Sequence, residues 1–276
     1  MGSQSMSASE TNTAGLVLLD VNRVSYRFKG VKALDECSLK IKGGFITGLI
    51  GPNGAGKSTA VNIMAGVLRP RTGSVHLLGR DATGWPPHKM AQHGLIRTFQ
   101  FPAEFQSLST LENLMMGAPD HTGERVGRAL FARRSWRSTE REQVDRACEI
   151  LDLIGLYPKR NDLASTLSGG QRRLVELGRV IMAEPRVVLL DEPMFGLSPL
   201  VADVIGEMLQ ELARKGAGVL LIEHLLGAVE SLCTDIYVLV AGKPVASGSY
   251  TEVMEDRVVQ EAYLGNTPER DGSGQK

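Results

Sequence analysis

Residues 51–59 read GPNGAGKST, and few nine-residue stretches restrict a chain so tightly. The segment before them, FITGLI, is a continuous apolar run of the kind buried on both faces of a sheet. After them, Ala60, Ile63, Met64 and Val67 fall at i, i+3, i+4 and i+7 from a helix start at Lys57. G-x-x-x-x-G-K-[ST] therefore runs from Gly51 to Ser58 between a buried strand and a helix N-terminus, the context a phosphate cradle requires. Gly51, Gly54 and Gly56, with Pro52, Asn53 and Ala55 between them, let the backbone curl so that successive N–H groups point inward. The helix adds its positive dipole end. Lys57 supplies a mobile charge for β- and γ-phosphates, Ser58 a hydroxyl for Mg²⁺, and Thr59 support from behind.

A phosphate cradle needs a metal ligand and a group to position water. RVVLLDEP (186–193) offers both, as two carboxylates at the end of a buried strand. In open α/β sheets ligands sit at that end. Asp191 is the Mg²⁺ ligand expected and Glu192 the base or water-orienting group. His224 ends the next strand-like run, VLLIEH, at the same edge of the sheet. Gln100, in RTFQ, is a neutral side chain able to bridge a metal and a water, though spacing alone gives it little distinction from an ordinary polar residue.

A second Gly-rich stretch, LSGGQ (167–171), has no lysine. Ser168 reads as a helix N-cap. Ser168, Gly169, Gly170 and Gln171 also form the start of a second anion cradle, since N–H groups and a helix dipole point the same way. The two readings are compatible.

The bulk numbers narrow the class. Lys+Arg and Asp+Glu both number 31, so the basic footprint of a nucleic-acid binder is absent from the whole chain. No apolar run approaches the roughly 20 residues that span a bilayer. Cys37, Cys148 and Cys233 are few and widely spaced; they form neither a disulfide framework nor a metal site, and read as small buried hydrophobes. The 276 residues suffice for a well-buried core. Residues 1–15 and 266–276 read as disordered ends. LVLLDVNRVSYRF and CSLKI read as strands ahead of the first loop. From 81 to 165 the pattern becomes mostly helical, and a helical subdomain of about 98–165 reads as an insertion in an α/β core. The core returns with helices near 171–183 and 199–215 and the strands RVVLLDE, GVLLIEH, IYVLV and PVASG. Ser198-Pro199 gives an N-cap and an N1 proline, and Gly216 a C′ glycine.

GPNGAGKST, RTFQ, LSGGQ, RVVLLDEP and VLLIEH, in that order, resemble the motif set of the ABC-type ATPases over about residues 16–265. The resemblance implies a P-loop NTPase fold: a RecA-like core, an antiparallel β subdomain and an inserted helical subdomain. It implies ATP and Mg²⁺ as cofactors and two ATPase domains facing head to tail, the LSGGQ of one closing over ATP in the first loop of the other. Gln100 then gains the role of metal and water contact, His224 that of switch histidine, and Phe28 in YRFKG that of the aromatic stacked on adenine, with Tyr26 the competing candidate. Two positions depart from the common pattern: Ser198 and Leu225 stand where many members carry Asp. HGLIRTFQFPAEFQSLSTLENLMMGA, the insertion at 118–145 and the ending EAYLG resemble the ATPases of branched-chain amino acid importers. That resemblance implies two membrane-spanning permease subunits, a second ABC ATPase of the same or similar sequence, an extracytoplasmic substrate-binding protein, no nucleic acid, and a peripheral place on the cytoplasmic face of the plasma (inner) membrane. The alternatives are an importer ATPase for urea or amides, a soluble ABC ATPase acting on DNA or ribosomes, a nucleotide-gated module without turnover, and an exporter ATPase. Five arginines between His121 and Ser138 (125, 128, 133, 134 and 137) read as a solvated helix face or as a contact for lipid headgroups.

Overall fold

The computed structural model describes residues 14–98, 105–119 and 133–264. Two sheets form its frame. The first is antiparallel, in the order β2-β1-β4-β5, built from β1 (Val17–Phe28), β2 (Val31–Lys42), β4 (Thr72–Leu77) and β5 (Arg80–Asp81). The second has six strands in the order β10-β9-β3-β8-β7-β6. Here β3 (Ile46–Ile50), β6 (Leu95–Arg97), β7 (Val187–Asp191), β8 (Gly218–Ile222) and β9 (Asp235–Val240) run parallel, and β10 (Lys243–Gly248) closes one edge antiparallel. This is the P-loop α/β core with an antiparallel β subdomain.

The apolar runs explain the layering. In β7, Val187 and Leu189 enter the core shared with the antiparallel sheet, while Val188 and Leu190 enter the core on the opposite face. In β8, Leu220 and Ile222 face the first core, Val219 and Leu221 the second. Because side chains alternate along a strand, a strand buried on both faces must be apolar at every position. The first core is completed by α1 (Lys57–Met64), and α2 (Pro87–Gln92) contributes Met90 to it. The second is filled by α3 (Thr110–Met115), α4 (Arg133–Leu153), α5 (Gly169–Met182) and α6 (Pro199–Arg214). A third cluster joins Ile50 of β3 and Ile236 and Val238 of β9 to Val229, Val253 and Val259, from α7 (Leu226–Leu232), α8 (Tyr250–Glu255) and α9 (Arg257–Leu264) respectively.

Several boundaries differ from those the sequence predicts. Helix α1 stops at Met64, and Val67 is 47% exposed rather than on its buried face. Gly66 (φ +76°) turns the chain, its N–H donating to Ile63 O and that of Val67 to Asn62 O, which is a Schellman ending. Gly216 ends α6 in the same way, donating to Ala213 O while Ala217 N–H reaches Leu212 O. Helix α5 starts at Gly169, two residues earlier than expected, because a capping box closes there: Gln171 N–H donates to Ser168 Oγ, and Ser168 N–H donates to Gln171 Oε1. Ser198 does precede α6, with Pro199 at its first turn, but its hydroxyl makes no capping hydrogen bond. The stretch after residue 81 is not helical throughout, since β6 adds an edge strand to the main sheet before α3 begins.

Candidate functional site

Strands β3, β7 and β8 are parallel neighbours, so the segments leaving their C-terminal ends emerge along one edge of the sheet. The Gly51 loop, the Asp191-Glu192 pair and His224 leave from that edge. The loop is held by sterics at both ends. A Cβ on Gly51 would lie 2.1 Å from Leu239 O, and one on Gly56 (φ +102°) 2.5 Å from Ala33 O. Between them Gly54 (φ +78°) faces open space, and Asn53 and Ser58 are exposed. Gly56, the N-cap of α1, offers no side chain to the first helical N–H groups, which leaves them for an anion. The Lys57 ammonium folds back over the loop, donating to Gly51 O (2.7 Å) and Pro52 O (3.1 Å). Burial pulls its pKa below the usual lysine value; the Glu192 and Asp191 carboxylates push the other way.

Glu192 takes a left-handed backbone (φ +51°), and its N–H is tied to Ile222 O at 2.9 Å. Its Oε1 lies 2.9 Å from His224 Nε2. The next inward carboxylate is Glu223, only 2% exposed. It accepts the N–H of Met194 (2.8 Å) and of His224 (3.3 Å), so it fixes the segment after Glu192 to the end of β8. Burial raises its pKa above the usual glutamate value, and those N–H bonds hold it back in part. Arg97, on β6, reaches Asp191 Oδ2 at 3.5 Å and donates to Asn62 Oδ1 of α1 at 2.5 Å. Sequence reading assigned no role to Glu223 or Arg97. Each stands beside a residue it did single out, His224 and the RTFQ segment, but their partners are remote in the chain.

A cleft of about 670 Å³ is lined by Ser58, Arg97, Asp191 and Glu192, by Gly169 and Arg173 of α5, and by Phe195 and Leu197. The first loop, the carboxylates and the second Gly-rich helix start thus border one space. At that helix start Ser168 and Gly169 are exposed and a Cβ on Gly169 would meet nothing within 4 Å, while Gln171 Oε1 also accepts Lys159 Nζ at 3.3 Å. Phe28 is 48% exposed at the end of β1, and Lys29 and Gly30, both at positive φ, turn the chain into β2. Tyr26 packs edge-on to Phe28 (4.8 Å) and against the first core, which leaves Phe28 the freer aromatic face. The following residues Ala33 and Leu34 touch the Gly56 position, so this hairpin flanks the loop. Gln100 lies outside the described residues, as do residues 120–132 of the 118–145 insertion and the side chains of the five arginines between His121 and Ser138.

These residues fit a nucleoside triphosphate and a hard divalent cation. The loop has uncapped donors, open space before Gly54 and a buried ammonium. Among the described residues no three His, Cys, Asp or Glu side chains converge as a protein-only metal cage. One hydroxyl and one carboxylate, Ser58 and Asp191, suit a Mg²⁺ that takes its other ligands from phosphates and water. The three cysteines are free; burial pushes the Cys37 thiol up to about 11 and the Cys233 thiol to about 12.

The sequence profile of the family described as ABC transporter matches residues 34–195. A probable branched-chain amino acid transport ATP-binding protein LivG of Archaeoglobus fulgidus is 36% identical over 248 residues, covering 90% of this chain and 95% of that protein. The high-affinity branched-chain amino acid transport ATP-binding protein BraF of Pseudomonas aeruginosa is 35% identical over 249 residues, covering 90% and 98%. Among solved structures, the ADP conformation of an ATP-binding cassette of an ABC transporter superposes with a TM-score of 0.76 at 35% identity, covering 91% of this chain and 99% of that one. A nucleotide-free cassette from an ABC transporter superposes with a TM-score of 0.74 at 35% identity, covering 90% and 99%.

Proposed function

This chain belongs to the ABC transporter family, and within it we propose that the protein is the ATP-hydrolysing subunit of an importer that takes up branched-chain amino acids through separate membrane subunits. The observation that carries the reading is the cleft that Ser58, Asp191 and Glu192 border together, at the mouth of the Gly51 loop. The amino acid specificity rests on the relatives' transport function, since no residue of this site recognises an amino acid.

In this reading the loop from Gly51 to Thr59 binds the phosphates and Phe28 stacks on the base. Lys57 gives up its loop carbonyls to reach the β- and γ-phosphates. Ser58, Asp191 and Gln100 are the residues that would hold Mg²⁺, which when bound would neutralise phosphate charge. Glu192 orients and deprotonates the attacking water. His224, within hydrogen-bond distance of Glu192, holds that carboxylate in place and senses the γ-phosphate. Ser168, Gly169, Gly170 and Gln171 serve the nucleotide of a second ATPase, so that only a pair of chains completes a site. Catalysis is positioning and charge stabilisation in a space that closure makes dry. The partners are two permease subunits, a second ATPase and an extracytoplasmic binding protein. The working place is the cytoplasmic face of the plasma membrane; among the described residues no helix is long and apolar enough to cross one. The ATPase unit spans about residues 16–265, with its helical subdomain at about 98–165.

The test is purification of the tagged chain from gently solubilised membranes of its own cell. Two membrane subunits, a second ATPase and an amino-acid-binding protein are expected to copurify, and the binding protein is then assayed with leucine, isoleucine and valine. Copurification with ribosomes or DNA instead would sink the transport reading.

A further inference from the structure

Two arginines line the cleft beside the carboxylates: Arg173 is paired with Glu176 on its own helix, while Arg97 reaches Asp191 itself and the reading above leaves it without work. It stands on the edge strand β6, its side chain 13% exposed, and it lines the same cleft as Ser58 and Asp191. Its two terminal nitrogens are used unequally. Nη1 is anchored to Asn62 Oδ1 on α1 at 2.5 Å. Nη2 leans on Asp191 Oδ2 at 3.5 Å, the long end of any hydrogen bond and far from a bidentate fork. Nε is buried and has no hydrogen-bond partner among the described residues. A guanidinium cannot lose its proton in a protein, so the charge beside Asp191 is permanent. The anchor is firm, the contact to the carboxylate is loose, and the carboxylate is the one that suits a divalent cation.

We propose that Arg97 is a positioning residue for the metal site: held by Asn62, it stands in for the divalent cation at Asp191 and sets how much Mg²⁺ the site requires. The inference rests on the nucleotide-site reading above. The Asp191 carboxylate is already partly neutralised by Arg97, and the guanidinium, held at Asn62, would have to give up Asp191 Oδ2 for that oxygen to serve a metal. Removing the guanidinium then lets the site fill at lower Mg²⁺. Removing the anchor frees the guanidinium to close on Asp191, and the site then demands more. A residue that merely propped up the fold would move both variants the same way.

The experiment is equilibrium binding of a fluorescent ATP analogue to the full chain, first in EDTA and then along a Mg²⁺ titration, for wild type, Arg97→Gln and Asn62→Leu. Thermal melts check that each variant is folded. Arg97→Gln is expected to keep its metal-free affinity within about threefold and to lower the Mg²⁺ midpoint roughly fivefold or more, the ordinary scale of coupling between two sites. Asn62→Leu is expected to raise the midpoint. An unchanged or raised midpoint in Arg97→Gln overturns the proposal. A tenfold loss of metal-free affinity in that variant also overturns it, since Arg97 would then be holding phosphate. Wild type that binds no analogue in either condition would take down the nucleotide reading and this inference together.

Discussion

Gly54 and Gly56 lie two residues apart in one loop and both have positive φ, yet alanine is expected to do different things at each. At Gly56 (φ +102°) the new Cβ would sit 2.5 Å from the Ala33 carbonyl oxygen and 3.0 Å from Leu34 Cδ2. The first of these is backbone, so the loop or β2 must move. The left-handed conformation costs about 1–2 kcal/mol and overpacking a tight site about 1–3 kcal/mol more, so Gly56→Ala should lose about 2–5 kcal/mol of stability. At Gly54 (φ +78°) nothing lies within 4 Å. Only the conformational cost applies there, about 1–2 kcal/mol. The added methyl at Gly54 projects instead into the open space before the loop, where phosphates would sit, so nucleotide affinity should fall on the order of tenfold, about 1.4 kcal/mol. Urea unfolding with the ATP-analogue titration measures both quantities for each variant. Equal stability losses at the two positions would refute the steric reasoning. An unaltered affinity in a folded Gly54→Ala would refute the placement of the phosphates.

Glu192→Gln keeps an acceptor oxygen for His224 and loses the base, so steady-state phosphate release should drop about 10²–10⁴-fold while analogue binding persists; an unaffected rate removes Glu192 from its role. Ser168→Arg should block turnover of the assembled transporter yet leave ATP binding to the single chain intact, at a cost of about 0.5–2 kcal/mol for the lost cap. A large fall in single-chain affinity would contradict action on a partner's nucleotide. Glu223→Gln tests burial. The raised pKa of Glu223 means that its stabilising contribution is fully present below about pH 4.3, the unfolded value, and is lost as pH rises through the higher folded value. The variant cannot ionise and keeps an acceptor for Met194 N–H, so its stability relative to wild type should rise from pH 4 to pH 8, as read by denaturant melts. A gap that stays constant with pH would show that Glu223 does not titrate anomalously.

What could be read in the chain beforehand follows from range. Strands β7 and β8 were legible because burial on both faces demands nearly unbroken apolar runs, β3 because only the small Thr47 and Gly48 interrupt its own, and the groups that end them follow directly in sequence. Ser168 was legible as a cap, but not the reciprocal bond that its own N–H donates to Gln171 Oε1, which closes the box and fixes the helix start at Gly169. Val67 completes a helical period in the sequence, and only the Gly66 turn takes it off the helix. Strand β6 has three residues, too few for a period to declare itself. Arg97 meets Asn62 across 35 residues and Asp191 across 94, distances over which one sequence carries no pairing information. Glu223 looks like any polar residue at a strand end until Met194 is found donating to it from 29 residues away.

The two carbonyls that Lys57 grips have a thermodynamic consequence. In the proposed function, nucleotide does not simply add contacts to a waiting ammonium; it would exchange two existing hydrogen bonds, to Gly51 O and Pro52 O, for new ones to phosphate. The lysine's net share of the affinity is therefore a difference between two sets of bonds, smaller than its charge alone implies. In return the loop is already curled around its own cation, so little backbone entropy remains to be lost when an anion arrives. Binding to such a loop would be an ion exchange on a preformed resin, one set of partners for the ammonium traded for another on a backbone already in place.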